Sequence, residues 1–167
     1  MQFSFTYPMV GGDHDPALTT RDGMRSVLEA AEAGGFGAVG FTDHPIPSRR
    51  WLEAGGHNAL DPFAALAFCA AVTEQIRLMT NVVVVPYRNP FLLAKMVATV
   101  DVLSEGRTIL GAGTGYLRAE YRALGVEFDE RNELFDEALD MILAAWSGDE
   151  VTFEGRHFTA SGNQAHP

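Results

Sequence analysis

Between Asn81 and Pro86 the chain carries four consecutive valines, Val82 to Val85. β-branched side chains favour extended backbone, and a strand with one wet face would alternate apolar with polar residues. This run does not alternate, so both of its faces must be covered. With Ile76 to Met79 ahead of it, the stretch Ile76 to Val85 reads as one strand buried on both sides. A parallel sheet with helices on its faces meets that demand, because parallel neighbours are joined by crossovers that lay helices over them.

The rest of the sequence supplies such units in order. Gln2 to Tyr7 alternates, with Phe3 and Phe5 on one face, and Pro8 closes it as a first strand. From Thr20, Met24, Val27, Leu28 and Ala31 fall on one helical stripe that Gly34 and Gly35 terminate. Phe36 to Thr42 is the second strand, and Pro45 and Pro47 open a long loop to Leu60 that carries Trp51 and His57. Asp61-Pro62 and Asn89-Pro90 each pair a capping side chain with proline at the first helical position, which predicts helices over Phe63 to Gln75 and Phe91 to Leu103. Both are apolar well beyond a single stripe. A fourth strand, Arg107 to Leu110, runs into the turn Gly111 to Gly115; a short polar helix and a longer one, Glu130 to Trp146, follow. Glu150 to Ala160 reads as a hairpin turning at Glu154-Gly155. Four strand-then-helix units predict an α/β fold on a parallel sheet with right-handed crossovers.

Composition narrows the function. At 167 residues and 47% hydrophobic content, the chain can bury one core, and a single domain over residues 1–167 is expected. A formal charge of −10 with one lysine, Lys95, argues against a nucleic-acid or anionic-membrane surface. Cys69 is the one cysteine and sits among alanines, so it reads as a small buried hydrophobe in a reducing, cytoplasmic setting. The amino terminus lacks a basic segment followed by an apolar one, and no apolar run approaches the length of a membrane-spanning helix.

Polar chemistry gathers at three strand ends: Thr42-Asp43-His44, Thr80-Asn81, and Gly111 to Gly115. Ligands bind at the carboxyl ends of strands in parallel α/β folds, so these groups are expected on one rim. His44 beside Asp43 is the candidate acid/base, since imidazole changes charge near neutral pH. Gly111, Gly113 and Gly115 remove side chains where something flat could approach the backbone. Their spacing is G-x-G-x-G, late in the chain, which is not the G-x-G-x-x-G of a dinucleotide fold. Asp13, His14 and Asp15 form an acidic loop that reads as solvated. No metal site is expected, because His14, His44 and His57 lack the paired spacing of metal ligands.

The segments FTDH at 41–44, TNVVVVPYRNPFLLAKMVATVDVLSEGRTILGAGTGYLRAEYRALGV at 80–126 and DEVTFEGRHF at 149–158 resemble the bacterial luciferase-like monooxygenases, especially the branch that uses the deazaflavin coenzyme F420. The resemblance implies the amino-terminal half of a (β/α)8 barrel, with the carboxyl-terminal half absent from this chain. It also implies an oxidoreductase acting on a small organic substrate, with F420, or FMN in its place, bound at the rim. His44 would lie by the reactive ring, Thr80 and Asn81 under its face, and Gly111, Gly113, Thr114 and Gly115 at its edge, with Val82 also among the cofactor-binding residues. A cis non-proline peptide maps to Asn81-Val82, and a homodimer is implied through helices 63–75 and 91–103. Two other readings stand beside this one: a non-catalytic, self-associating half-barrel, and a metal-dependent barrel hydrolase.

Overall fold

The computed structural model describes residues 2–9 and 14–167. Asp13 of the acidic loop lies outside the described residues. In chain order the elements are β1 (Ser4–Thr6), α1 (Arg21–Ala33), β2 (Ala38–Phe41), α2 (Arg49–Glu53), α3 (Pro62–Val72), β3 (Arg77–Thr80), β4 (Val83–Val84), α4 (Pro90–Leu103), β5 (Thr108–Ile109), β6 (Ala112–Gly113), α5 (Arg118–Leu124), α6 (Arg131–Trp146), β7 (Val151–Glu154) and β8 (Thr159–Asn163). Strands β1, β2, β3 and β5 lie side by side, all parallel, with Phe5 opposite Val39, Val39 opposite Leu78, and Leu78 opposite Thr108. This is the α/β half-barrel, with the β7–β8 hairpin added.

The valine strand is not continuous. β3 ends at Thr80 and β4 resumes at Val83, with a cis peptide at Asn81-Val82 between them. The neighbouring strand breaks at the same level, and β4 pairs in parallel with β6 as a separate upper tier. Val83, Val84 and Val85 are buried as expected, but Val82 is 42% exposed. The expectation of two covered faces therefore fails at this one valine, which is turned out at the break.

Helix starts follow the local chemistry. The Asp61 carboxylate accepts the Ala64 N–H at 2.9 Å, and the Asn89 side chain accepts that of Phe91 at 3.0 Å. Helix α3 ends at Val72, three residues before the expected Gln75. The cause is tertiary: the next N–H groups, of Glu74, Gln75 and Ile76, are taken by the Glu32 carboxylate of α1, the shortest at 2.6 Å. Burial alone would push this acid up, but the three donors and the Arg107 charge hold it below its ordinary value. Arg107 ties the same end of the sheet. Its guanidinium donates to the carbonyls of Ala70, Thr73, Ile76 and Ser104 and to the Thr73 hydroxyl, at 2.7–3.3 Å.

Leu28, Val39, Leu66, Leu78, Val83, Leu93 and Ile142 centre the core, sealed by α1, α3, α4 and α6. Cys69 lies in it at 0% exposure, and burial pushes its thiol up to about 12, which leaves it inert as a nucleophile. The hairpin extends to Asn163, three residues beyond the expected end, and packs Val151 and Ala160 on Met141 of α6. Glu137 of α6 accepts the N–H groups of Arg156, His157 and Phe158 between the two strands.

Candidate active site

The carboxyl ends of the strands enclose one open cavity of about 460 Å3, bordered by Thr42, Asp43 and His44 after β2, His57 from the long loop, Asn81, Val82 and Val84 at the strand break, and Thr114, Gly115 and Tyr116 beyond β6. All three groups that the sequence assigned to one rim meet there. Of the candidate residues, Thr80, Gly111 and Gly113 do not border the cavity.

Asp43 and His44 are adjacent but bound to different partners. Asp43, 3% exposed, takes Arg88 in a two-pronged pair at 2.6 and 2.9 Å and also accepts the Val84 N–H at 2.9 Å. Burial works against the Arg88 charge, yet Asp43 and then Asp61 hold the guanidinium above its ordinary value. Both Asp43 oxygens are thus engaged in holding the 84–88 segment. His44 instead places Nδ1 3.3 Å from Oε2 of Glu120, a carboxylate with 0% exposure on α5. Glu120 also accepts the Ile46 N–H at 3.2 Å and the Tyr87 hydroxyl at 3.1 Å. Burial, and then the Glu120 charge, hold the Tyr87 phenol far above its ordinary value, so it stays a donor.

Aromatic rings surround His44. The His44 ring centroid is 4.7 Å from that of Trp51, 4.9 Å from His57 and 6.3 Å from Tyr116. Trp51 sits on α2, a helix within a stretch expected to be loop; Ser48 caps it by accepting the Trp51 N–H. Turn Thr114 to Tyr116 is braced from below. The buried Tyr121 hydroxyl donates to the Thr114 carbonyl, and burial pushes that phenol up to about 12. Phe128 stacks edge-on against Tyr121 and lies under the Arg118 and Arg131 guanidiniums, at 4.0 and 4.1 Å.

The glycines have a reason within the chain itself, beside the one the sequence suggested. A Cβ on Gly111 would strike the Thr80 carbonyl oxygen, one on Gly113 would come within 3.0 Å of Val82, and one on Gly115 within 2.6 Å of Val84. Their missing side chains make room for the neighbouring strand of the same chain. Thr80 joins that arrangement through its hydroxyl, which donates to the Gly111 carbonyl at 2.7 Å. Asn81 reaches across to the Thr6 hydroxyl at 2.8 Å.

Glu120, Tyr87, Arg88 and Tyr116 were not picked out from the sequence. Glu120 stands 76 residues from His44, and nothing in its local pattern marks it as more than a polar residue of a short helix. Among the described residues, no group of three or more His, Cys, Asp and Glu could hold a metal ion.

Parallel strands with a polar and aromatic cavity at their carboxyl rim define an α/β half-barrel. The chain belongs to the luciferase-like monooxygenase family, whose model matches residues 1–167. It is 38% identical over 140 residues to an F420-dependent glucose-6-phosphate dehydrogenase of Nocardia farcinica, an alignment covering 79% of this chain and 40% of the relative. Among solved structures, the monooxygenase RslO1 of Streptomyces bottropensis superposes with a TM-score of 0.86 at 29% identity, over 100% of this chain and 49% of that one. The FMN complex of the oxygenating constituent of 3,6-diketocamphane monooxygenase from Pseudomonas putida superposes at 0.80 with 20% identity, over 96% and 43%, and speaks for the fold alone. The chain thus spans less than half the length of these relatives.

Proposed function

We propose that this chain carries the ring-binding half of an oxidoreductase that moves a hydride between coenzyme F420, or FMN, and a small organic substrate. The observation that carries the reading is the cavity itself, which brings the exposed Val82 and the His44 imidazole to one space. A flat ring system fits those residues: Val82 and Val84 offer apolar surface, and Thr42, Asn81 and Thr114 offer polar edges. Bound there, a flavin or deazaflavin supplies the two-electron chemistry that protein side chains lack. The chain's own part is to seat the ring on Val82, to exclude water with Trp51, His57 and Tyr116, and to take or return a substrate proton at His44. The single buried cysteine suits a cytoplasmic setting for such chemistry.

Titration with oxidised F420 and with FMN, followed by cofactor fluorescence, tests the proposal. Saturable quenching by at least one of them is expected. Val82→Asp should weaken it tenfold or more, about 1.4 kcal/mol, by placing a carboxylate against the ring. No quenching by either cofactor at millimolar concentration would remove the reading.

A further inference from the structure

Buried carboxylates that hold an imidazole decide which of its nitrogens carries hydrogen, because a neutral ring has one donor and one acceptor. Glu120 is in that position. Its Oε1 accepts the Ile46 N–H, and its Oε2 faces both the Tyr87 hydroxyl and His44 Nδ1. The Ile46 amide can only donate, and Tyr87 keeps its proton. A carboxylate has only acceptors to offer, so the remaining partner, Nδ1, must present hydrogen as well. We infer that Glu120 is a positioning residue that fixes His44 as the Nδ1–H tautomer and leaves the Nε2 lone pair toward the cavity. The inference rests on the reading of that cavity as the reacting site.

The arrangement makes a specific forecast for Glu120→Gln, which keeps size and shape. Glutamine has one acceptor oxygen and one NH2 group. The Ile46 N–H is part of the backbone and cannot reverse, so it takes the oxygen. The NH2 group then faces Tyr87, whose oxygen can accept, and His44, whose Nδ1 must supply a lone pair. Hydrogen moves to Nε2, and the cavity meets a donor in place of an acceptor.

Nitrogen magnetic resonance of the chain labelled with 15N-histidine reads this directly, at a pH where the ring is neutral. Wild-type His44 is expected to show a protonated Nδ1 and a pyridine-type Nε2, with the pattern reversed in Glu120→Gln and retained in Tyr87→Phe. A wild-type spectrum with hydrogen on Nε2 overturns the inference, as does an unchanged pattern in a folded Glu120→Gln. Should Glu120→Gln fail to fold, the wild-type and Tyr87→Phe spectra decide the matter. A purely structural Glu120 would lower the denaturation midpoint on substitution without moving the hydrogen. A wild-type chain with hydrogen on Nδ1 that binds neither cofactor leaves this inference standing and removes only the proposed function.

Discussion

Asp43 and His44 stand side by side in the chain, yet a substitution at each should report on a different property. Asp43→Ala strands the largely buried Arg88 guanidinium without its two-pronged partner. Removing one member of a buried pair costs on the order of 3–5 kcal/mol, so urea denaturation should show a loss of that size. His44→Ala should leave the midpoint nearly in place, since Glu120 retains two donors. In a turnover assay of a full-length enzyme that carries this half, the proposed function expects it instead to lower the rate by about two to four decades, the usual scale for acid/base help. A loss within about threefold would take His44 out of the chemistry. Arg107 offers a third contrast. Its three guanidinium nitrogens meet five acceptors at the end of α3 and on the loops after α3 and α4, a fork that lysine cannot reproduce. Arg107→Lys should cost about 2 kcal/mol or more through carbonyls left without donors, with the rim cavity unchanged.

Elements are pinned to one another by carboxylates that gather backbone N–H groups. Glu32 of α1 holds the entry to β3, and Glu137 of α6 holds the turn of the hairpin. For both, burial works against the charge, but the N–H donors outweigh it and the folded value lies below the ordinary 4.5. A depressed carboxyl contributes stability above its unfolded value and loses it as pH falls through the folded value. The stability gap between wild type and Glu32→Gln should therefore be full at neutral pH and narrow below pH 4.5, as read from urea midpoints across that range. These same contacts show where sequence reading stopped. The Asp-Pro and Asn-Pro starts of α3 and α4 were legible because capping is a matter of three residues. The end of α3 was not, since the competing acceptor is 42 residues away. The valine run looked like one strand because side-chain type records burial and not the path of the backbone. The rim was legible as a place, from strand ends alone. Its wiring was not, because Glu120 and Arg88 reach His44 and Asp43 only through the closed fold.

For the whole molecule, the sheet has β1 and β5 at its edges, and α4 presents Leu92, Met96, Val102 and Leu103 to solvent. Exposed edges and apolar faces invite pairing with another chain. We propose a homodimer through α3 and α4. Starting from a dimeric wild type, Met96→Glu combined with Leu103→Glu should then lower the mass measured by light scattering, whereas a monomeric wild type or an unchanged mass would remove this interface. The two tiers of the sheet have a further consequence, one of time rather than of position. β4 and β6 pair over two residues each, above a break that the Thr80 hydroxyl spans. Short, separately paired strands open without the rest of the sheet, so the amides of β4 and β6 should exchange with solvent hydrogen sooner than those of β2 and β3. Thr80→Val keeps the shape and removes the span. It should quicken the upper tier and leave the lower one at its own slow pace, setting the rate at which the rim loosens apart from the rate at which the protein unfolds.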